Sequence, residues 1–408
     1  MKTPRSLWVA GVSFAQLVSW GSLYYTFSLL MPGIESELGL SRVTVSGAFS
    51  AALLASGVAG VAVGQAIQNG YGRAVMSAGS LLAGLLLVTH AWITEAWMLY
   101  AVWIGLGLAM GAVFYEPIFA ITIRRWPQDY RRPIIHITFL GGLASTAFIP
   151  LGALLIAQLG WRDTCLALAA CHLLICLPIH LSMLHEPRTD SDVAASAGQT
   201  KATAPQTGAS SVDRTPSLGQ LAWSSAFLLI TGAMVASSLV SSALSAHMVP
   251  MLAERGLPMA WAVAVPASIG IMQVVGRLVL LVFEGRFEPR RLDVAIMLAT
   301  PGALIVLAAG GHSVLAALAF AALYGLGNGL ITIVKATAIA AYVNRERVAQ
   351  LAGLQTLPVA AAKAAGPVLM AALWSLQEDY APAVIGLIGL GGMAAFMLVL
   401  AQRRSPRA

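Results

Sequence analysis

Runs of 18 or more apolar residues recur from one end of this chain to the other. That length spans the roughly 30 Å hydrocarbon core of a bilayer at ~1.5 Å of rise per helical residue. Repeated runs of this kind are read as membrane-spanning helices rather than as helices of a soluble core. Charge content agrees: 10% of the 408 residues are charged and 58% are hydrophobic, where an ordinary soluble protein carries about 25% charged residues. A soluble multidomain enzyme is excluded.

Twelve spans can be placed, at about 7–31, 44–67, 74–94, 97–123, 134–158, 162–184, 222–249, 259–283, 293–311, 314–342, 348–375 and 380–401. The first follows Lys2 and Arg5, as a signal core would. Its apolar stretch runs on to Met31 without a cleavage pattern, so it reads as a span. Between spans six and seven lies the one long segment with no apolar run, His185 to Leu218, rich in Ser, Thr, Ala, Pro, Gly and Gln. Such a composition cannot bury enough apolar surface to fold, and it reads as a disordered linker. The expected division is a six-helix bundle over 1–184, a cytoplasmic linker over 185–218 and a second six-helix bundle over 219–408.

The formal net charge of +7 does not mark a nucleic-acid surface, because the basic residues form no patch and sit in short loops. With the N-terminus inside, cytoplasmic segments hold 18 of the 24 Lys and Arg. Outer loops hold only Arg42, Arg162 and Arg255, and the remaining three lie within spans. That asymmetry puts both termini on the cytoplasmic side. Short loops and a bias to Arg over Lys fit a cell inner (plasma) membrane. Cys165, Cys171 and Cys176 share one apolar run and show neither a disulfide framework nor a metal spacing. No metal, cofactor or nucleotide-binding motif is expected.

The halves repeat. Pro32 through Gly39-Leu40 closes span 1 as Pro250 through Gly256-Leu257 closes span 7. Gly105-Leu106-Gly107 in span 4 matches Gly325-Leu326-Gly327 in span 10, 220 residues on. Arg73 matches Arg290, and Pro150 matches Pro367, both at an offset of 217. A near-constant offset implies two related bundles. The span 2–3 loop, Gly64 through Gly72-Arg73, completes a pattern that over essentially the whole chain resembles the major facilitator superfamily of secondary transporters. The resemblance implies an all-α integral membrane fold of twelve helices in two pseudo-symmetric six-helix bundles. It also implies a conformational role for Gly64, Gly72, Arg73 and their counterpart Arg286, in Glu284-Gly285-Arg286-Phe287. Gln68 stands where the family usually has an Asp. Span 5 has Ile149 before Pro150, not the Gly-Pro of the drug/proton antiporter branch.

Ionisable side chains at membrane depth cost several kcal/mol and are functional candidates by default. Glu116, Arg277, Lys335 and Lys363 qualify. Lys363 lies among small residues near the middle of span 11, roughly 18 Å from either span end, so it must face an aqueous cavity or an anion. Arg277 lies about six residues from a span end and has snorkelling open to it. A basic residue in span 8 with a second in span 11 looks like the oxalate/formate antiporter and monocarboxylate transporter branches. By that resemblance Lys363 and Arg277 hold a substrate carboxylate. Gln273 sits where the monocarboxylate branch tends to have an Asp, and span 1 lacks the Lys that some members use.

Glu116, beside Tyr115, and Lys335 fall at similar depth in the pseudo-symmetric spans 4 and 10. The repeat sets Lys335 opposite Tyr115. The two charges pair to seal the cytoplasmic mouth, or Glu116 carries protons, or each snorkels to the interface. Pro117 kinks span 4. Gln16, Trp20 and Tyr24 recur every four residues on one face of span 1, lining the cavity or packing. Ser237, Ser238, Ser241, Ser242 and Ser245 give span 7 a small-polar face for packing or for a wet cavity. His136 and His247 lie near span ends and read as interfacial.

The expected function is alternating-access transport of a small organic anion, a mono- or dicarboxylate, by a chain acting as a monomer in the lipid bilayer, with proton coupling or exchange. Proton-coupled efflux of neutral or cationic molecules through Glu116 is the alternative. A transporter-fold sensor is more distant, since no substantial soluble output region is visible.

Overall fold

The structure, a computed structural model, describes residues 4–184, 217–282, 286 and 288–404. Almost all of the expected linker, and Glu284, Gly285 and Phe287, lie outside the described residues. In the first half the helices are α1 (Arg5–Trp20), a π-helical turn (Gly21–Tyr25), α2 (Phe27–Leu38), α3 (Arg42–Gln68), α4 (Gly72–His90), α5 (Ala96–Val113), α6 (Tyr115–Arg125), α7 (Arg131–Gly142) and α8 (Ala144–Cys171). A second π-helical turn (His172–Cys176) leads to α9 (Leu177–Met183). The second half has a short α10 (Leu218–Ala222) and then α11 (Ser225–Glu254), α12 (Met259–Val282), α13 (Pro289–Ala309), α14 (Val314–Tyr342), α15 (Val348–Ser375) and α16 (Ala381–Arg404).

Ten described stretches are long and apolar enough to cross a membrane. One, residues 131–183, is two spans turned at Gly160, whose φ of 79° is open to glycine and strained for other residues. Span 1, made of α1, the π-turn and α2, is not among those ten. Twelve spans result. Side-chain oxygens set several starts: Ser41, Ser224 and Ser313 each accept a backbone N–H from the first turn of α3, α11 and α14. Large apolar side chains such as Leu54, Leu315 and Phe396 stay exposed, as a surface solvated by lipid tails requires.

Small residues set how closely the spans cross. A Cβ on Gly107 or Gly111 would collide with the carbonyl of Ala52 or Ser56 on α3. In the second half a Cβ on Gly325 or Gly329 would meet the carbonyl of Ile269 or Gln273 on α12. These Gly-x-x-x-Gly pairs correspond at an offset of 218, and their partners at 217. The structure therefore corrects the 220-residue register read from Gly105 and Gly325. Under the corrected register Lys335 lies opposite Pro117, not Tyr115.

One apolar cluster draws on the first-half helices plus Ala246 and Ala364, and two others draw only on helices after residue 217. The halves meet where α3 lies along α15, α8 along α12 and α2 along α11. Span 4 breaks at Phe114, whose ψ of −163° separates α5 from α6. Pro117 explains the break, because it has no N–H for the carbonyl of Val113.

Candidate functional site

Between the halves lies a cavity of about 290 Å³. Trp20, Tyr24, Tyr25 and Tyr115 give its first-half wall an aromatic character. The opposite wall is small and polar: Ser237, Ser238, Ser241, Ser242 and Ser245 of α11, with Asn328, Thr300 and Thr332. The serine face of span 7 thus faces the cavity. All four ionisable candidates, Glu116, Arg277, Lys335 and Lys363, line it.

Lys363 crosses from the second half to the first. Its Nζ stands 5.3 Å from the ring centre of Trp20 and 5.2 Å from that of Tyr24. Among the described residues it has no hydrogen-bond acceptor and no carboxylate within 4.0 Å. Two ring faces contribute on the order of 0.5–2 kcal/mol each to holding a cation. A carboxylate brought to 4 Å would contribute about 4 kcal/mol at an effective dielectric of 20. The rings position the ammonium; an anion neutralises it. Pro367 lies inside α15 one turn beyond Lys363, and the neighbouring Val368 N–H donates to Ser50 Oγ on α3 at 3.2 Å.

The π-turn places Trp20 and Tyr24. Thr26 donates both its N–H and its hydroxyl to the Gly21 carbonyl, at 3.1 and 2.7 Å, so the extra residue is accommodated. Trp20 stacks on Phe114, 4.0 Å between ring centres, and meets Tyr24 edge to face at 5.4 Å. Gln16, one turn earlier, is fully buried, and the cavity wall does not include it. Its Nε2 donates to the Val113 carbonyl at 2.6 Å, the acceptor that Pro117 leaves free. The structure thus separates Gln16 from the two aromatics it accompanies in sequence.

Arg277 faces the cavity, which excludes snorkelling away from it. Two of its donors are already used: Nε gives to the Gly329 carbonyl at 3.2 Å and Nη1 to the Thr138 carbonyl at 3.0 Å. It ties α12 to α14 and to α7 of the other half, with part of the guanidinium fork left for a ligand. Gln273, one turn away, also lines the cavity and is buried. Glu116 and Lys335 are exposed on the cavity wall, and among the described residues they form no ion pair with each other within 4.0 Å. The sealing pair, one of three readings open for these residues and one that belongs to the outward-open state, is not formed in this conformation. Tyr115 stacks on Phe119 and lies 5.1 Å from Trp20, between ring centres.

At the end of the molecule away from the termini, a polar network joins the halves. Arg42 of α3 contacts Glu35 of α2 at 3.1 Å and Glu254 of α11 at 2.6 Å. It donates to the Tyr380 hydroxyl at 3.1 Å and lies 3.8 Å above the Trp374 ring centre. Trp374 Nε1 in turn donates to Glu254 at 2.8 Å. Below this, His247 is fully buried, which corrects its interfacial reading. Its Nε2 donates to the Pro367 carbonyl at 2.9 Å, leaving Nδ1 to accept from Tyr380 at 2.9 Å. In the sequence Arg42 reads only as a loop charge. Its position just after Ser41, the cap of α3, is the available signal.

The Gly64 to Arg73 loop is held from α6: Arg124 donates to the carbonyls of Ile67 and Gln68, closing the end of α3. Gly64 has open space around its Cα, Gly72 opens α4 against Ile121, and Arg73 is exposed in its first turn. Arg286 is exposed at its described position. His136 is exposed, with Nδ1 donating to the Arg132 carbonyl at 2.7 Å.

Twelve spans in two pseudo-symmetric sets surround a central cavity, the architecture of a membrane transporter fold. The family model for the Major Facilitator Superfamily matches residues 12–367, and the chain belongs to that family. Similar solved structures include a crystal structure of a mutant of the nucleoside transporter NupG, 14% identical with a TM-score of 0.72, covering 97% of this chain and 99% of that one. Another is a POT family transporter in complex with 5-aminolevulinic acid, also 14% identical with a TM-score of 0.72, covering 99% and 96%. These show the fold. A curated relative, an uncharacterized 38 kDa protein in the 23S RNA operon of Thermoproteus tenax, is 30% identical over 194 residues, 47% of this chain. The chain spans about half, 50%, of that relative's length.

Proposed function

We propose that this major facilitator transporter moves a small organic anion, a mono- or dicarboxylate, by alternating access, in the manner of the oxalate/formate and monocarboxylate branches. The observation that carries this reading is Lys363: a cation at mid-span, beside the rings of Trp20 and Tyr24, with no carboxylate within 4.0 Å among the described residues. Arg277 supplies further donors from the same cavity, and the serines of α11 supply hydroxyls for the rest of the cargo. Three basic groups against one acid on the wall favour an anion. Solved structures of the same fold carry different cargoes in their names, so the reading rests on the cavity and not on likeness.

The charge asymmetry of the loops puts both termini in the cytoplasm of a cell whose inner membrane houses the chain, acting as a monomer. In that orientation the Arg42 network is an outer gate and the conformation opens inward, past Glu116 and Lys335. Protons are the candidate coupling ion, with Glu116 as the carrier. The exposed Glu116 also supports a second reading, export of a cationic or neutral compound.

The test is radiolabel uptake into proteoliposomes, with a panel of mono- and dicarboxylates, with and without an imposed pH gradient. Saturable uptake of a carboxylate supports the proposal. Uptake or export confined to cations and neutral compounds would overturn it.

A further inference from the structure

A second site lies outside the central cavity. Where α1 and α7 run side by side, a groove of about 750 Å³ opens between their N-terminal turns. Its walls are largely apolar, with Val9, Ala10, Phe139 and Leu140 beside Ser6 and a Ser13 whose hydroxyl donates to the Val9 carbonyl, and its mouth carries Arg5, Arg132 and His136. One acid is present, Asp129, and Arg5 already occupies it through its carboxylate at 2.8 Å and its carbonyl at 2.7 Å. Arg132 is exposed and, among the described residues, its side chain has no partner. His136 uses Nδ1 on the Arg132 carbonyl, which directs Nε2 outward.

We propose that this groove holds an anionic phospholipid, its phosphate on Arg132 and His136 and one acyl chain along Ala10 and Phe139. Two observations point the same way. The mouth is net positive and sits at two helix N-termini, where N–H groups and the helix dipoles attract anions. Beyond the mouth the walls are largely apolar, which suits a chain of methylenes and adds nothing to the hold on a free phosphate. Basic pockets between spans at a membrane surface select anionic headgroups, each basic contact being worth about fivefold in affinity.

The experiment is native mass spectrometry of the full chain with phosphatidylglycerol and phosphatidylcholine at equal mole fraction. The native protein should carry about fivefold or more excess of phosphatidylglycerol adducts. The double variant Arg132→Gln, His136→Gln should bring the ratio near one. Ala10→Phe keeps every charge while filling the groove, and should remove the same adducts. Arg345→Gln, another exposed basic residue, should leave the ratio unchanged, and excess inorganic phosphate should not displace the lipid. Equal adduct levels in the native protein would overturn the proposal. So would an unchanged ratio in the double variant and in Ala10→Phe, or displacement by inorganic phosphate, which would mean a site for the free ion.

Discussion

Arg42 and Glu254 meet at 2.6 Å across the two halves of the molecule, at the centre of a polar network that joins the halves at the end away from the termini. The Arg42 side chain is 9% exposed and Glu254 36%. Removing one partner of a partly buried pair costs about 2 kcal/mol once solvent screening is discounted. The proposed outer gate holds this contact only when shut, so Arg42→Ala should shift the population toward opening there by about 30-fold. Spin labels at Ser36 and Gln377, both exposed at this end, should gain a longer-distance population in the variant. An unchanged distance distribution would show that the network does not bias the conformation.

Gln16 and Trp20 are one turn apart, yet they should respond differently to substitution. Gln16→Leu removes the donor to Val113 and should destabilise the protein by about 1–2 kcal/mol, leaving the apparent affinity for cargo unchanged. Trp20→Leu removes a ring from Lys363 and should weaken cargo affinity about fivefold. Thermal unfolding and uptake KM, measured together, separate the two. A raised KM in Gln16→Leu would return that residue to the cargo site.

Glu37 accepts from Arg162 Nε at 2.7 Å and from Trp161 Nε1 at 2.5 Å, clamping the end of α2 to the turn at Gly160. The Arg162 contact, then the Trp161 contact, hold its carboxyl below the usual carboxylate range. The folded state therefore favours the ionised form. The clamp's stability is fully present above the ordinary value of about 4.3 and is lost as pH falls through the depressed one. Native protein should exceed Glu37→Gln in thermal midpoint at pH 7, and the difference should close on acidification. A gap that widens toward low pH would contradict this.

Glu116 is exposed on the cavity wall and makes no ion pair within 4.0 Å among the described residues. Glu116→Gln should keep cargo binding and abolish the response of uptake to an imposed pH gradient. Loss of binding in that variant would make Glu116 a cargo contact instead.

The spans are legible in the sequence because each of them must be apolar along its whole length. Lys363 is legible for the complementary reason, being a charge where solvation is dearest. What the residues do to one another is not. The π-turn between Trp20 and Tyr24 leaves no mark in a four-residue spacing, and neither does the bond to the Val113 carbonyl that keeps Gln16 off the cavity wall. The 220-residue register rests on Gly105 and Gly325, whereas the glycines that pack equivalently are Gly107 and Gly325. A Gly-Leu-Gly triplet is too short to fix a register within two positions. His247 and Arg42 sit where a one-dimensional reading sees a span end and a loop. Only the approach of the two halves buries them.

The central claim is that Lys363 neutralises the charge of the cargo. Its most direct test is saturable carboxylate uptake by native protein, Lys363→Arg and Lys363→Gln, reconstituted at equal amounts and checked for equal thermal stability. Loss of a pairing worth about 4 kcal/mol should cost Lys363→Gln on the order of a hundredfold or more in kcat/KM, and Lys363→Arg should retain part of the activity. A folded Lys363→Gln protein that transports the carboxylate as well as the native one would contradict the account.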